Sequence, residues 1–377
     1  MSLITYLSRV HFADGVLEDA IEAELDYQRI ARPLVIADQA LQGRAFERLL
    51  AALPEQVRPK VLDVPPSTGR EEDLLAAAQL FATGRCDGII GFGGATAIDL
   101  AKILSLTGAD PAALTRRLDG AGAPVRMRAA GSPAIVIPTS AASGAGLSRC
   151  AGIVRSDGRR VTLIGAPMLP AAALCDPTLM GEEPGEAVAA AGMDVIVHCI
   201  ETYLCADWNP PADGIALEGL RRAASVLERA VADREDLEAR RELLAAALNG
   251  ALAEEKGLGG IHALAHALEE TPTAAAARHG RFHAALAPHV LAFNAPAVGG
   301  RYTLIKQAMR LPAAADLPQA VADLGERLAL PVRLGMAGVR RTTLDPVSRR
   351  AEADPANRTN PRLATAGDYR AMLEAAF

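Results

Sequence analysis

A basic excess, paired cysteine motifs, a leader-type N-terminus and internal repeats are all missing from this chain, and each absence closes off a class of function. Lys and Arg number 39 against 45 Asp and Glu, giving a net charge of −6. With no basic run either, that balance argues against a general nucleic-acid surface or an anionic-membrane surface, and leaves small molecules as the expected partners. The five cysteines (Cys86, Cys150, Cys175, Cys199 and Cys205) are odd in number and form no C-x-x-C, which speaks against a disulfide framework and against thiolate metal ligation. The opening MSLITYLSRVHFADG has no charged segment followed by an apolar core, and no apolar run reads as long enough to span a membrane. A cytoplasmic protein with no membrane or nucleic-acid partner is the expectation. No period of about 20 to 50 residues repeats, and no low-complexity linker divides the chain.

A chain of 377 residues exceeds the size at which one core keeps growing, so two abutting domains are expected. From Pro33 the pattern alternates short β-branched runs with helical ones: PLVIA, LQGRAFERLLAAL, VLDV, REEDLLAAAQLFATG, DGIIGF, ATAIDLAKILSL and AIVIP. Such alternation predicts a parallel sheet covered by helices, a Rossmann-like α/β domain assigned to residues 1–180. AGIV and VTLI flank Ser156-Asp157-Gly158 as a predicted hairpin. Near Pro184 the composition turns to long Ala- and Leu-rich segments with apolar residues three and four apart, which predicts an all-helical domain over 181–377. Its last helix is expected to pack back onto the others.

Histidine is scarce, seven in all, yet five lie between Ile261 and Asn294: His262, His266, His279, His283 and His289. His262 and His266 are four apart, as are Asp194 and His198 upstream, so on helices each pair shares a face one turn apart. Imidazoles joined by a carboxylate suit a borderline divalent ion such as Fe(II) or Zn(II). A lone histidine on an apolar helix is more often a hydrogen-bonded core residue than a ligand. The pairs together favour a metal.

Gly91-Phe92-Gly93-Gly94 follows a predicted strand and opens a helix, a place where backbone amides approach a pyrophosphate and the helix N-terminus favours negative charge. A plain tight turn is the competing reading. Asp38 ends the strand PLVIAD, where it either meets a ribose or caps the following helix. The loop from Thr139 to Gly146 offers the hydroxyls of Thr139, Ser140 and Ser143, or is merely a turn.

These motifs, in the order LVIAD, GFGGATAIDLAK, IPTSAASGAG, CDPTLM, AAGMDVIVHCIE, GIHALAHAL, RHGRFHAALAPHVLAFN and NPRLAT, resemble the iron-containing (group III) alcohol dehydrogenases along nearly the whole chain. The resemblance implies a dinucleotide-binding α/β domain, a helical metal-binding domain and a cleft between them, in a homodimer that moves hydride between an alcohol and NAD. Carried over by motif, Asp194, His198, His262 and His279 hold a divalent Fe or Zn ion. Gly93 and Gly94 hold the pyrophosphate, Asp38 the adenosine ribose, Thr139 and Ser143 the nicotinamide side, and Ala95 and Asp99 complete the cofactor set. His266 would line the same site without being a primary ligand, and its unperturbed pKa suits it to carry the alcohol proton. The chain departs from the family pattern in three places: a longer His266 to His279 interval, Gly144-Ala145-Gly146 after the Thr/Ser loop, and Ala267-Leu268-Glu269-Glu270 after the histidine pair. The alternatives carried forward are a maleylacetate reductase-like enzyme gripping a dicarboxylate with Arg278 or Arg281, a dehydroquinate synthase-like lyase, and a cluster that only stores metal.

Overall fold

The computed structural model describes residues 9–38, 43–65, 69–108, 125–126, 131–271 and 280–377, with the side chains of 38, 125, 126, 142, 143 and 145 outside that description. Two compact units divide the chain, one ending at Glu183 and the other beginning at Pro184.

The first unit strings together β1 (Arg9–Phe12), α1 (Val16–Gln28), β2 (Pro33–Asp38), α2 (Arg44–Ala52), β3 (Lys60–Val64), α3 (Glu71–Thr83), β4 (Gly88–Gly93), α4 (Ala95–Thr107), β5 (Val125–Arg126), β6 (Ala134–Pro138), β7 (Cys150–Val154), β8 (Arg160–Ile164) and β9 (Ala172–Cys175). Six of these strands form one sheet in the order β1-β9-β6-β4-β2-β3, with every pairing parallel. Its central strands are continuous apolar runs because both faces are covered. Leu34, Ile36 and Ile89 face one layer with Leu74, Leu100 and Ile103 from α3 and α4, whereas Val35, Ala37, Ile90 and Phe92 face Ile21, Phe46 and Leu49 from α1 and α2. That alternation is the period of two expected of a strand. The hairpin forms as predicted, β7 against β8 antiparallel, with Gly158 turning at φ +82.

Strands β1 and β9 were not legible in the sequence. RVHF and AALC are four residues each, and AALC has no β-branched residue, so local propensity is weak. Pairing of β9 between β6 and β1 makes them strands.

The chain leaves β2 for β3 on one side and returns past it to β4 on the other. At such a reversal the carboxyl ends of two neighbouring strands open a crevice that ligands use. Ala37 pairs with Phe92 and Gly93 with Pro138, so Asp38, Gly93 and Thr139 come side by side at that edge, and the Thr139 amide donates to the Gly93 carbonyl at 3.0 Å.

The second unit is helical among the described residues: α5 (Gly185–Leu204), α6 (Pro210–Ala232), α7 (Leu237–Ala253), α8 (Gly260–Glu269), α9 (Gly280–Asn294), α10 (Arg301–Ala308), α11 (Leu317–Arg327), α12 (Leu344–Ala353), α13 (Pro355–Thr359) and α14 (Ala366–Ala375). Contrary to the sequence reading, one helix among the described residues, α5, is long and apolar enough by length and composition to cross a bilayer. Its most apolar window is 89% buried inside the fold, so the apolarity belongs to a bundle core. At Gly192 the side chain of Leu227 from α6 fills the space that a Cβ would take, since an added Cβ would lie 2.0 Å from Leu227 Cδ1. As predicted, the last helix packs inward, with Tyr369 buried and its hydroxyl donating to Asn357 Oδ1 at 2.8 Å.

Gly91 sets how closely α4 seats on β4. A Cβ there would stand 2.8 Å from that of Ala101 and 3.3 Å from Ile98 Cα. Gly91→Ala should therefore cost about 1–3 kcal/mol of stability through overpacking, measured by denaturant unfolding. An unchanged midpoint would mean that α4 is free to shift away from the strand.

Candidate metal centre and dinucleotide crevice

Helix α5 carries Asp194, His198 and Glu201 at intervals of four and three, one stripe on a helix that is mostly apolar and, from Val188 on, mostly buried. Helix α8 runs alongside with His262 and His266. The two stripes meet. His262 Nε2 lies 3.1 Å from His198 Nδ1 and 3.5 Å from Asp194 Oδ1, and His198 Nδ1 lies 3.4 Å from that same oxygen. Ligand atoms from the three residues fall within 4.8 Å of one another. Donors about 2.1 Å from a tetrahedral ion stand roughly 3.4 Å apart, so these spacings and this mix of imidazole and carboxylate fit a divalent ion of the Fe or Zn type.

The other side of His262 is equally defined. Its Nδ1 lies 2.6 Å from Glu201 Oε2. The same carboxylate accepts the amides of Gly259 at 3.0 Å, Ile261 at 2.6 Å and His262 at 3.3 Å, the donors that a helix start leaves without intrahelical partners. Asn360 Oδ1 accepts the fourth, from Gly260, at 3.0 Å. Gly259 is small for this purpose, because a Cβ would come within 2.7 Å of Glu201 Oε1.

Electrostatics follow from the crowding. Burial alone would push the His198 imidazole down, but Asp194 and Glu254 (3.5 Å from Nε2) outweigh it and raise it to about 10. A proton thus occupies this cluster readily, and a metal ion entering it competes with that proton.

His279 lies outside the described residues, as does Arg278. Gly280 directly after it is packed hard on α5, where a Cβ would meet the Ala190 carbonyl at 2.3 Å and Asp194 Cβ at 3.2 Å. One turn into α9, His283 is fully buried, with Nδ1 3.4 Å from Asp194 Oδ1 and its ring 4.7 Å from that of His262. The sequence reading gave neither His283 nor Glu201 a role. Both were detectable, His283 as a third i,i+4 partner (of His279) and Glu201 as the next turn of the Asp194-His198 stripe.

His266 is set back, its ring 5.8 Å from that of His262. Its Nδ1 lies 3.1 Å from Asp354 Oδ2, while Oδ1 of that aspartate caps α13 through the Ala356 amide at 2.8 Å. An anchored acceptor of this kind leaves Nε2 as the working nitrogen.

In the sheet unit, Gly93 has φ +136, a left-handed conformation that favours glycine, and Gly94 caps α4. Ala95 opens that helix, whose N-terminus stands at the carboxyl edge of the sheet. Asp99 faces the hairpin, accepting the Gly152 amide at 2.9 Å. Ser140 donates to Glu183 at 2.7 Å, and the side chains of Asp38 and Ser143 lie outside the description.

An α/β unit whose strand order reverses beside a glycine-bearing helix start, and a helical unit with a clustered carboxylate and imidazoles, are suited to a dinucleotide and a divalent ion respectively. The family models for iron-containing alcohol dehydrogenase and for the C-terminal part of the Fe-containing alcohol dehydrogenase family match residues 8–177 and 188–377. A 4-hydroxybutyrate dehydrogenase from Cupriavidus necator is 37% identical over 99% of both chains, and an NAD-dependent methanol dehydrogenase from Bacillus methanolicus is 26% identical over 92% of each. The solved alcohol dehydrogenase from Oenococcus oeni superposes with a TM-score of 0.88 at 25% identity, covering 100% of both chains. The chain belongs to the iron-containing alcohol dehydrogenase family. It is an enzyme that moves hydride between an alcohol and NAD with the help of a metal.

His262 sits at the meeting point of both helices, so its loss should be felt first in metal content. His262→Ala is expected to lose most bound metal and at least about 10²-fold in turnover. Elemental analysis of the purified variant is the measurement, and full occupancy would strike His262 from the ligands.

Proposed function

We propose that the substrate is a small primary alcohol carrying a carboxylate, with 4-hydroxybutyrate the leading candidate, oxidised to its aldehyde in a reversible reaction. What supports the substrate class is the relative that is 37% identical along 99% of the chain and is named a 4-hydroxybutyrate dehydrogenase. The alternative of a maleylacetate reductase-like enzyme relies on Arg278 or Arg281 to grip a dicarboxylate. Arg281 stands 3.5 Å from Glu186, an acid that already answers its charge. NADH absorbance measured with 4-hydroxybutyrate, unsubstituted alcohols and maleylacetate as competing substrates tests this reading. A kcat/KM for a plain alcohol above that for 4-hydroxybutyrate would end it.

Asp194, His198 and His262, with His279 as fourth, are the residues that hold the ion in this reading, and either Fe(II) or Zn(II) suits three imidazoles and one carboxylate. When bound, the ion supplies Lewis acidity that eases loss of the alcohol proton and polarises the carbonyl in reverse. His266 accepts the proton at Nε2, directly or through water, while Asp354 holds the ring in place. Gly93, Gly94 and Ala95 present the start of α4 to the pyrophosphate, Asp38 binds the adenosine ribose, and Thr139 and Ser143 lie toward the nicotinamide. Asp99 and Ser140 contribute to the same crevice by bracing it, through Gly152 and Glu183. The reading also includes a homodimer, taken from the family resemblance, and a cytoplasmic setting without nucleic-acid or membrane partners, for which the net charge of −6 and the five unbonded cysteines speak.

A carboxylate at Asp38 accepts hydrogen bonds from ribose hydroxyls and repels a 2′-phosphate. The native enzyme should accordingly favour NAD over NADP in kcat/KM, and Asp38→Gly should narrow the ratio. Equal use of both cofactors by the native chain would take Asp38 off the ribose.

For His266 the expectation separates chemistry from binding. His266→Ala should keep its metal and its NAD affinity while turnover falls by about 10²-fold or more, the usual worth of a positioned acid-base group. Metal analysis, cofactor titration and a pH-rate profile decide it: lost metal makes His266 a ligand, and an unchanged profile removes the proton role.

A further inference from the structure

We infer that Glu201 is a positioning residue that dictates which nitrogen of His262 is offered to the metal. The inference rests on His262 being a ligand, as in the reading above. A neutral imidazole carries its proton on one nitrogen and a lone pair on the other, and whichever nitrogen donates a hydrogen bond is the one that cannot coordinate. His262 has two acceptor environments to choose between. Nδ1 points at Glu201 Oε2 at 2.6 Å, and Nε2 points into the cluster toward His198 and Asp194.

Glu201 leaves no choice. Each of its oxygens is engaged by backbone donors that cannot turn away, Oε1 by Ile261 and Oε2 by Gly259 and His262. The group is 3% exposed, at the positive end of α8, where helix geometry favours an anion. An acceptor-only carboxylate held this way requires a proton on Nδ1 and so keeps the lone pair on Nε2, aimed at the site. The same residue ties the start of α8 to α5, so ring orientation and helix position are set by one side chain.

Glu201→Gln tests the assignment because it preserves shape and removes only the acceptor-only character. If the new amide nitrogen faces Ile261, two donors oppose each other at the helix start. If it faces His262, it also opposes the Gly259 and His262 amides, and Nδ1 must become the acceptor, so that the proton moves to Nε2 and blocks coordination. Zinc affinity of the metal-free enzyme, read by competition with a chromophoric chelator, should weaken about 10- to 100-fold, the usual effect of losing such a partner. His262→Ala is the control: if that variant binds zinc like the native chain, the ligand reading falls and this inference with it. Native-like zinc affinity in Glu201→Gln, with His262→Ala impaired, overturns the role of Glu201 alone.

A second measurement reads the tautomer in the native chain itself. Nitrogen chemical shifts of His262 in the native metal-free chain, assigned by loss of its signals in His262→Asn, should give a protonated Nδ1 and an unprotonated Nε2. The reverse assignment refutes the inference, and a purely structural glutamate would leave the tautomer unbiased.

Discussion

Glu201 buried at the start of α8 is the contact on which the arrangement of the helical unit turns. A carboxylate taken out of water costs several kcal/mol unless its lone pairs are satisfied. Here three backbone amides and one imidazole satisfy them, and those donors belong to the segment that carries His262. The bond that removes the desolvation cost is thus the bond that seats the helix carrying His262. Removing either partner would strand the other in an apolar interior, which is why such pairs lock one geometry even when their net contribution to stability is small.

The same logic extends outward. Asn360 and Asn294 exchange paired side-chain amide bonds at 2.9 and 2.8 Å, and Asn360 also takes the Gly260 amide, so the end of α9 is fastened to the start of α8. The NPRLAT segment, one of the motifs by which the family was recognised, therefore works as a clamp. Asp354 does similar double duty, capping α13 with one oxygen and facing His266 with the other. Polar groups in this bundle serve the fold and the site at once, and the apolar residues of α5 supply the low-dielectric setting that makes each contact matter.

Much of this was legible in the sequence because it rests on local periodicity. The strands β2, β4 and β6 announce themselves as apolar runs with turn residues behind them, and Asp194, His198, His262 and His266 announce themselves by spacing. What was not legible depends on partners distant in the chain. β1 and β9 become strands through pairing across the sheet. The length and apolarity of α5 resemble a membrane span until its packing on α6 and α9 is seen. Glu201 and His283 are visible as letters, yet their importance lies in contacts over 61 and 89 residues, which spacing along one helix cannot report. His279 was assigned by motif, and its position lies outside the described residues.

The two units divide recognition according to what each kind of secondary structure can offer. A parallel sheet brings strand ends and helix starts to one edge, so it presents backbone amides and a positive dipole, fit for phosphates and tolerant of sequence as long as glycine allows close approach. A helix satisfies its own backbone and presents only side chains, but it repeats a face every three or four residues and so aims several lone pairs at one point. Metal-assisted hydride transfer from an alcohol to NAD draws on both an anion cradle and a cation site. The cofactor end can thus keep a short glycine signature, while the substrate end, built of side chains alone, is where this chain departs most from the family's pattern.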